Sequence, residues 1–436
     1  MEKRLRSIFP LLLLIVANLL GMAILMSGEE IGSEVLLLCF GMCALSFVVY
    51  LIINLCSLGD TYLYLIVTML ATVGIVMVSR LNIDFGIGNM KMFLGGVALF
   101  FVTIIVYRTL YNHLKKLVLW YLGLAISLYI LTLALAVVTN GAKNWITLGD
   151  ITFQPSEFIK ILFVLSIAGI LTKNNKQDSV NTGGPLIERR MIVITVITYI
   201  NMLFLLLQTE LGTAVVIFAV YLAFLFVYDK RSILFLANAL TFAAVIGIAI
   251  LLVDVIAKIG PIDHIAPRIK GWLDPYADRT GSGWQIINSL REINGGGFPG
   301  NGIGNGALTA SERAALGGYE FGAIQSDYIF AAICNEMGVF GGIAVLMLYF
   351  VLVYRGFKIA LSTTNDFNKA VAFGVSTMLG VQTFVIIGGV TKLIPLTGIT
   401  LPFISHGGSS MLSTFIAVGL LQAISSVEGD ITDELE

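Results

Sequence analysis

The 436-residue chain is 57% hydrophobic and only 12% charged, against roughly 25% charged in an ordinary soluble domain, and its mean hydropathy is +0.93. It cannot cover itself with a water-facing surface. A formal net charge of −1 offers no basic field for nucleic acid, and the four cysteines (Cys39, Cys43, Cys56, Cys334) and three histidines (His113, His264, His406) have no zinc-site spacing.

A helix needs about 20 apolar residues to cross the hydrocarbon core. Twelve runs meet or approach that length, at about 8–27, 35–56, 61–79, 92–107, 117–139, 157–172, 190–207, 211–228, 232–253, 325–353, 367–390 and 401–425. The first is followed by Ser27-Gly28-Glu29-Glu30 rather than a small-residue cleavage site, so it reads as a span and not a signal peptide. Only Gln208-Thr209-Glu210 parts the seventh run from the eighth. The predicted fold class is an all-α polytopic membrane protein of about 12 transmembrane helices with one long extracellular loop. With a cytoplasmic N-terminus, the short inner loops hold 15 Lys and Arg residues and the short outer ones four: Arg80, Lys91, Lys143 and Lys392. That asymmetry predicts both termini inside and residues 254–324 outside.

Along the chain, the first polar block is Asn140-Gly-Ala-Lys-Asn-Trp145 through Gln154-Pro-Ser-Glu157-Phe-Ile-Lys160, read as an outer loop leading into a span. Pro155 suits a first helical turn, and Glu157 and Lys160 then share one face. A charge near the bilayer centre costs about 2.5–3.5 kcal/mol, so the two are expected to pair, either as a structural element or lining a polar cavity for a lipid headgroup. Glu210 follows at the next break.

The 71 residues of 254–324 exceed an idle connection and are too rich in aromatic and apolar side chains for a disordered linker. They read as an ordered cap of short amphipathic helices on the membrane surface. Within them Arg268, Asp274, Asp278, Arg279 and Gln285 bring two carboxylates together with cations. Spacing alone leaves two roles open: turn caps with surface partners, or a carboxylate base beside phosphate-holding cations. The stretch Asn294–Gly306 has seven glycines in thirteen residues but no Walker lysine, so it reads as a mobile, substrate-adapting loop rather than a P-loop. Asp327, Glu336, Lys392, Ser405 and His406 lie near the outer ends of later spans. The acidic segment from Glu428 reads as a solvated, disordered end, with a docking peptide as the alternative.

Together these blocks resemble the SEDS family of FtsW, RodA and SpoVE, the membrane peptidoglycan glycosyltransferases of bacteria. The matching residues are Asn144-Trp145 through Lys160, Gln208 through Thr213, Trp272-Leu-Asp-Pro through Gln285, Ser326-Asp327-Tyr-Ile-Phe330, Glu336-Met-Gly338, and Pro395-Leu-Thr-Gly398 through Ser405-His-Gly-Gly-Ser-Ser410. The chain departs from the family pattern at Gly322-Ala323, Asn335, Glu210 and His406. The Thr391–Gly398 block leans toward the FtsW and SpoVE side.

The resemblance implies a ten-helix core at 58–425, an additional N-terminal helix pair at 1–57 and an acidic cytoplasmic tail at 426–436. It implies polymerisation of lipid II at the outer face of the bacterial cytoplasmic membrane. Asp278 is the implied general base, and Trp145, Gln154, Glu157, Lys160, Arg268, Asp274, Arg279, Gln285, Asp327, Glu336, Lys392, Ser405 and His406 are expected to bind substrate. No organic cofactor is expected, but a divalent cation, Mg or Mn, would accompany the lipid pyrophosphate. The implied partner is a single-span class B penicillin-binding protein. The rival readings are a flippase for lipid-linked precursor and a non-catalytic scaffold of division or elongation.

Overall fold

The computed structural model describes residues 2–26, 33–139, 142–149, 151–172, 185–229, 233–258, 265–279, 281–306 and 324–435. Parts of the expected outer loop (259–264, 280 and 307–323, including Gly322-Ala323) lie outside the described residues, as do His264 and the inner-loop cations Lys173, Lys176, Lys230 and Arg231.

The elements run α1 (Glu2–Met26), α2 (Ser33–Leu55), α3 (Thr61–Leu81), α4 (Ile83–Leu114), α5 (Val118–Leu135), β1 (Val137–Thr139), β2 (Ala142–Leu148), β3 (Ile151–Phe153), α6 (Pro155–Thr172), α7 (Pro185–Leu207), α8 (Leu211–Tyr228), α9 (Ile233–Leu251), α10 (Val253–Ile256), α11 (Ile265–Leu273), α12 (Trp284–Gly296), α13 (Ile329–Ser362), α14 (Asp366–Val390) and α15 (Gly408–Leu435). Among the described residues eleven helices are long and apolar enough to cross a membrane, and α1 adds a shorter apolar stretch, Pro10–Ile24. The protein is a polytopic all-α membrane protein, as its composition demands. The break at Gln208-Thr209-Glu210 does divide α7 from α8, with Thr209 in the left-handed region at φ 59°.

Local chemistry sets several boundaries. Asp60 caps α3 by accepting from the Tyr62 N–H at 2.9 Å. Asn82 does the same for α4, accepting from the Asp84 and Phe85 N–H groups. Asn365 caps α14, and Pro155 opens α6, where its missing N–H is no loss.

The chain forms two compact units. Unit 1 holds residues 1–109, 288–363 and 399–436. Its α3 and α15 are largely buried. Helix α1 lies on α3, where Asn18 accepts from the Thr72 hydroxyl at 2.9 Å and Gly21 admits the Thr72 methyl. Arg355 of α13 pairs with Asp60 at 2.6 Å and covers the Tyr62 ring at 4.1 Å. Unit 2 holds residues 110–287 and 364–398, with α6 and α14 as its buried helices and almost none of α9 buried. Leu236, Leu240, Val245 and Ile248 of α9 are all more than half exposed, as lipid allows and water would not.

Four features differ from the sequence reading. The segment before α6 is a three-stranded antiparallel meander rather than a plain loop. Helix α4 is longer than the run 92–107 at both ends, starting at Ile83 where Asn82 caps it. The last helix begins at Gly408, leaving 401–407 as irregular, buried backbone. It then runs on to Leu435, through the acidic segment expected to be disordered.

Candidate functional site

Unit 2 contains the pair that the sequence predicted. Glu157 and Lys160, one turn apart on α6, meet at 2.9 Å with exposures of 3% and 2%. Lys160 also donates to Gln382 Oε1 of α14 at 2.7 Å. Beside them lies Glu210, at the break between α7 and α8. Glu210 Oε1 accepts from Gln154 Nε2 at 2.9 Å, from the Ser156 hydroxyl at 2.7 Å and from the Thr213 hydroxyl at 2.6 Å. Burial pushes the Glu210 carboxyl up, against the pull of the Thr213 and Ser156 hydroxyls. Trp145 stands half-buried on β2, opposite Val137 of β1. The Lys143 N–H donates to the Gln208 carbonyl at 3.1 Å, tying that strand to the break before α8.

The outer-loop residues of unit 2 form a compact turn between α11 and α12. Asp274 Oδ1 accepts from the Tyr276 N–H at 3.1 Å, an Asx turn of its own making. Asp278 is exposed and is held at both oxygens. Its Oδ1 accepts from the Gly281 N–H at 2.9 Å, and its Oδ2 from the Ser282 N–H at 2.9 Å and the Ser282 hydroxyl at 3.3 Å. Close packing fixes this turn. A Cβ on Gly283 would stand 1.8 Å from the Pro275 carbonyl oxygen, and one on Gly271 2.2 Å from that of Ser282.

Arg279 lies over the Tyr276 ring at 5.5 Å, and Gln285 is exposed in the first turn of α12. Two hooks then join α11 to the segment after α14: Arg268 donates to the Thr397 carbonyl at 3.3 Å and Trp272 Nε1 to the Lys392 carbonyl at 3.2 Å. Lys392 itself takes the left-handed conformation, φ 62°, that closes the C-terminus of α14, with the Leu393 N–H reaching back to the Gly388 carbonyl at 2.7 Å.

Asp327, Glu336, Ser405 and His406 belong to unit 1. Helix α13 is broken at Gly338, whose φ of 71° and ψ of −178° are open only to glycine. The break frees backbone groups, and the glycine-rich segment takes them up. Asn301 N–H donates to the Asn335 carbonyl, Gly302 N–H to that of Glu336, and Val339 N–H to that of Gly297, at 2.9–3.0 Å. The Glu336 carboxylate accepts from the Gly304 N–H at 2.8 Å, where the Arg80 guanidinium lies so close that a Cβ on Gly304 would overlap it. The described part of this segment is therefore pinned to a broken helix, not the mobile loop that its composition suggested.

The irregular backbone before α15 is likewise anchored. The Ser405 hydroxyl donates to the Ser326 carbonyl and accepts from the Leu401 N–H, and the His406 N–H donates to the Gln325 carbonyl at 2.8 Å. His406 Nδ1 meets Asn89 Oδ1 at 2.9 Å, and its ring lies 4.5 Å from that of Phe85. Burial lowers the imidazole below its ordinary value, a backbone hydrogen bond to Phe85 pulling the other way. Asp327 is half-buried just ahead of α13.

The family model described as Cell cycle protein, that of FtsW, RodA and SpoVE, matches residues 60–429. The peptidoglycan glycosyltransferase RodA of Mycobacterium tuberculosis is 31% identical over 388 residues, covering 84% of this chain and 78% of its own. Stage V sporulation protein E of Bacillus subtilis is 31% identical over 382 residues, covering 84% and 96%. The probable peptidoglycan glycosyltransferase FtsW of Geobacter sulfurreducens is 32% identical over 287 residues, covering 66% and 71%. Two solved structures share the fold. A chain of a peptidoglycan synthase complex that coordinates polymerisation and crosslinking has a TM-score of 0.65 at 23% identity, covering 85% of this chain and 98% of its own. Thermus thermophilus RodA has a TM-score of 0.57 at 22% identity, covering 84% and 96%. By this match across most of its length, the chain belongs to the SEDS family of FtsW, RodA and SpoVE.

Proposed function

We propose that the chain is a peptidoglycan glycosyltransferase that polymerises lipid II into glycan strands at the outer face of the bacterial cytoplasmic membrane. The observation that carries the activity is identity of 31–32% to relatives named for it. The excess of cations in the short inner loops supports cytoplasmic termini and an outer 254–324 loop.

In this reading Asp278 is the general base. Its carboxylate takes the proton from the acceptor sugar's 4-hydroxyl, that oxygen attacks the anomeric carbon of the donor glycan, and undecaprenyl pyrophosphate departs. An exposed carboxylate whose direction is fixed by backbone donors suits proton abstraction, which depends first on geometry. Asp274, which also caps its own turn toward the Tyr276 N–H, is proposed as a substrate contact. Arg268, Arg279, Gln285, Lys392, Trp145, Gln154, Glu157, Lys160, Asp327, Glu336, Ser405 and His406 are the other proposed substrate contacts. A divalent cation, Mg or Mn, is proposed to accompany the lipid pyrophosphate and shield its charge. The partner proposed is a class B penicillin-binding protein, in keeping with the synthase complex that shares the fold.

The test is purified protein with its partner and labelled lipid II. Wild type forms polymer, and Asp278→Asn loses about 10²–10⁴-fold, the usual contribution of a general base. Equal polymer from Asp278→Asn refutes the assignment of the base. Headgroup translocation without polymer, from the wild type itself, replaces the whole reading with a flippase.

A further inference from the structure

The buried polar cluster of unit 2 holds two carboxyl groups and a single ammonium group. Lys160 is committed to Glu157 and Gln382. Glu210, only 5% exposed, is the carboxyl left over, and its two oxygens are treated very differently. Three donors converge on Oε1, from Gln154, Ser156 and Thr213. Oε2 is sealed from solvent and has no hydrogen-bond partner among the described residues.

An ionised carboxylate carries its charge equally on both oxygens. Leaving one of them bare in a low-dielectric interior is among the costliest arrangements a fold can hold. A neutral carboxylic acid is asymmetric in the way seen here. Its carbonyl oxygen gathers donors, while its uncharged hydroxyl costs far less to leave unpaired than half of a carboxylate's charge. The charged and titratable neighbours do not favour ionisation. Glu157 on α6 repels a second negative charge, and Tyr129 on α5 has no positive charge to offer. Lys160 on α6 attracts one, but it is already paired. Gln382 of α14, like the three donors, is neutral.

We propose that Glu210 carries a proton on Oε2 at neutral pH and acts as a neutral positioning residue, its Oε1 gathering the first turns of α6 and α8 so that the cluster as a whole carries no net charge. This goes beyond the proposed function and does not depend on it. On this view the side chain tethers the turn that presents Glu157 and Lys160, and it does so as an acceptor rather than as an anion.

Infrared difference spectroscopy on the full chain in lipid nanodiscs at neutral pH tests this. Glu210→Gln keeps the shape and an acceptor oxygen for all three donors. The wild type should show the carbonyl stretch of a protonated carboxylic acid, well separated from the carboxylate bands, and Glu210→Gln should lose it. The thermal midpoint of Glu210→Gln should stay close to that of the wild type. Glu210→Leu, which strips the acceptor from Gln154, Ser156 and Thr213, should unfold at a clearly lower temperature. No such band in the wild type, or a band that survives in Glu210→Gln, overturns the proposal. So does a Glu210→Gln protein that unfolds as early as Glu210→Leu, because amide for neutral acid is the exchange the proposal says is harmless.

Discussion

The break in α13 makes a strong demand on one residue. An alanine at position 338 would have to hold φ at 71° and ψ at −178°, a region that costs a side-chain-bearing residue roughly 1–3 kcal/mol. Its Cβ would stand 2.1 Å from the Phe298 carbonyl oxygen and 2.5 Å from the Gly300 nitrogen, so the glycine-rich segment must move away. Moving it surrenders the three backbone bonds at Asn301, Gly302 and Val339, each worth about 0.5–1.5 kcal/mol net.

The sum is roughly 2.5–7.5 kcal/mol, and the lower half is expected because a straightened α13 can recover helical bonds. Hydrogen exchange on the purified protein reads it directly. The Asn301 and Gly302 amides are slow in the wild type and fast in Gly338→Ala, and polymer formation falls with them. Gly123→Ala is the control. It lies within α5 with nothing near its Cβ position, so it should be neutral or raise stability by about 0.5–1 kcal/mol. If Gly338→Ala leaves those amides as protected as in the wild type, the account of the segment as pinned by the break is wrong.

Lys160→Met strands the buried Glu157 carboxylate and should lower stability by about 3–5 kcal/mol, measured by thermal unfolding in detergent. The double variant Glu157→Gln/Lys160→Met should recover much of that loss. Asn18→Leu removes the bond from Thr72 to α1, and a shift of only about 0.6–1.7 kcal/mol is expected. A larger fall in the same assay would mean that the N-terminal helix pair holds unit 1 together rather than merely lying on it. His406 has a folded-state pKa below its ordinary 6.5. The unfolded chain therefore binds more protons just below that value, so stability falls as the pH drops from 6.5 toward the folded pKa. Chemical denaturation of the wild type and His406→Gln across that window should show the slope in the first and a flatter profile in the second.

The spans were legible because lipid imposes a length and a polarity that any sequence must show. The Glu157–Lys160 pair was legible because two charges three apart on a buried helix have few places to go. The cap was readable as short amphipathic helices, and α11 and α12 are such helices. What stayed hidden was decided by contacts distant in sequence. The meander before α6 consists of segments of three and seven residues, too short to carry a periodic pattern. Nothing local to Gly338 separates a helix-packing glycine from one that breaks the helix. The difference lies some forty residues upstream, where Gly297, Asn301 and Gly302 supply the backbone partners that make the break affordable.

The two loop aspartates show where sequence reasoning stops and geometry takes over. Both roles left open by their spacing were turn cap and base, and each aspartate does cap its turn: Asp274 toward Tyr276, and Asp278 toward Gly281 and Ser282. Capping does not argue against catalysis at Asp278. A carboxylate that must meet a sugar hydroxyl from an exposed loop needs its direction fixed before substrate arrives, because ordering it during the reaction would add to the barrier. Backbone N–H groups on both oxygens provide that fixing, and Gly271 and Gly283 allow the turn to close tightly enough to supply them. Among the described residues Asp274 has a single backbone contact of this kind, at one oxygen. If Asp278 is the base, a substitution at Gly283, which would disturb the turn that fixes its carboxylate, should reduce polymer formation while leaving Asp278 itself in the chain.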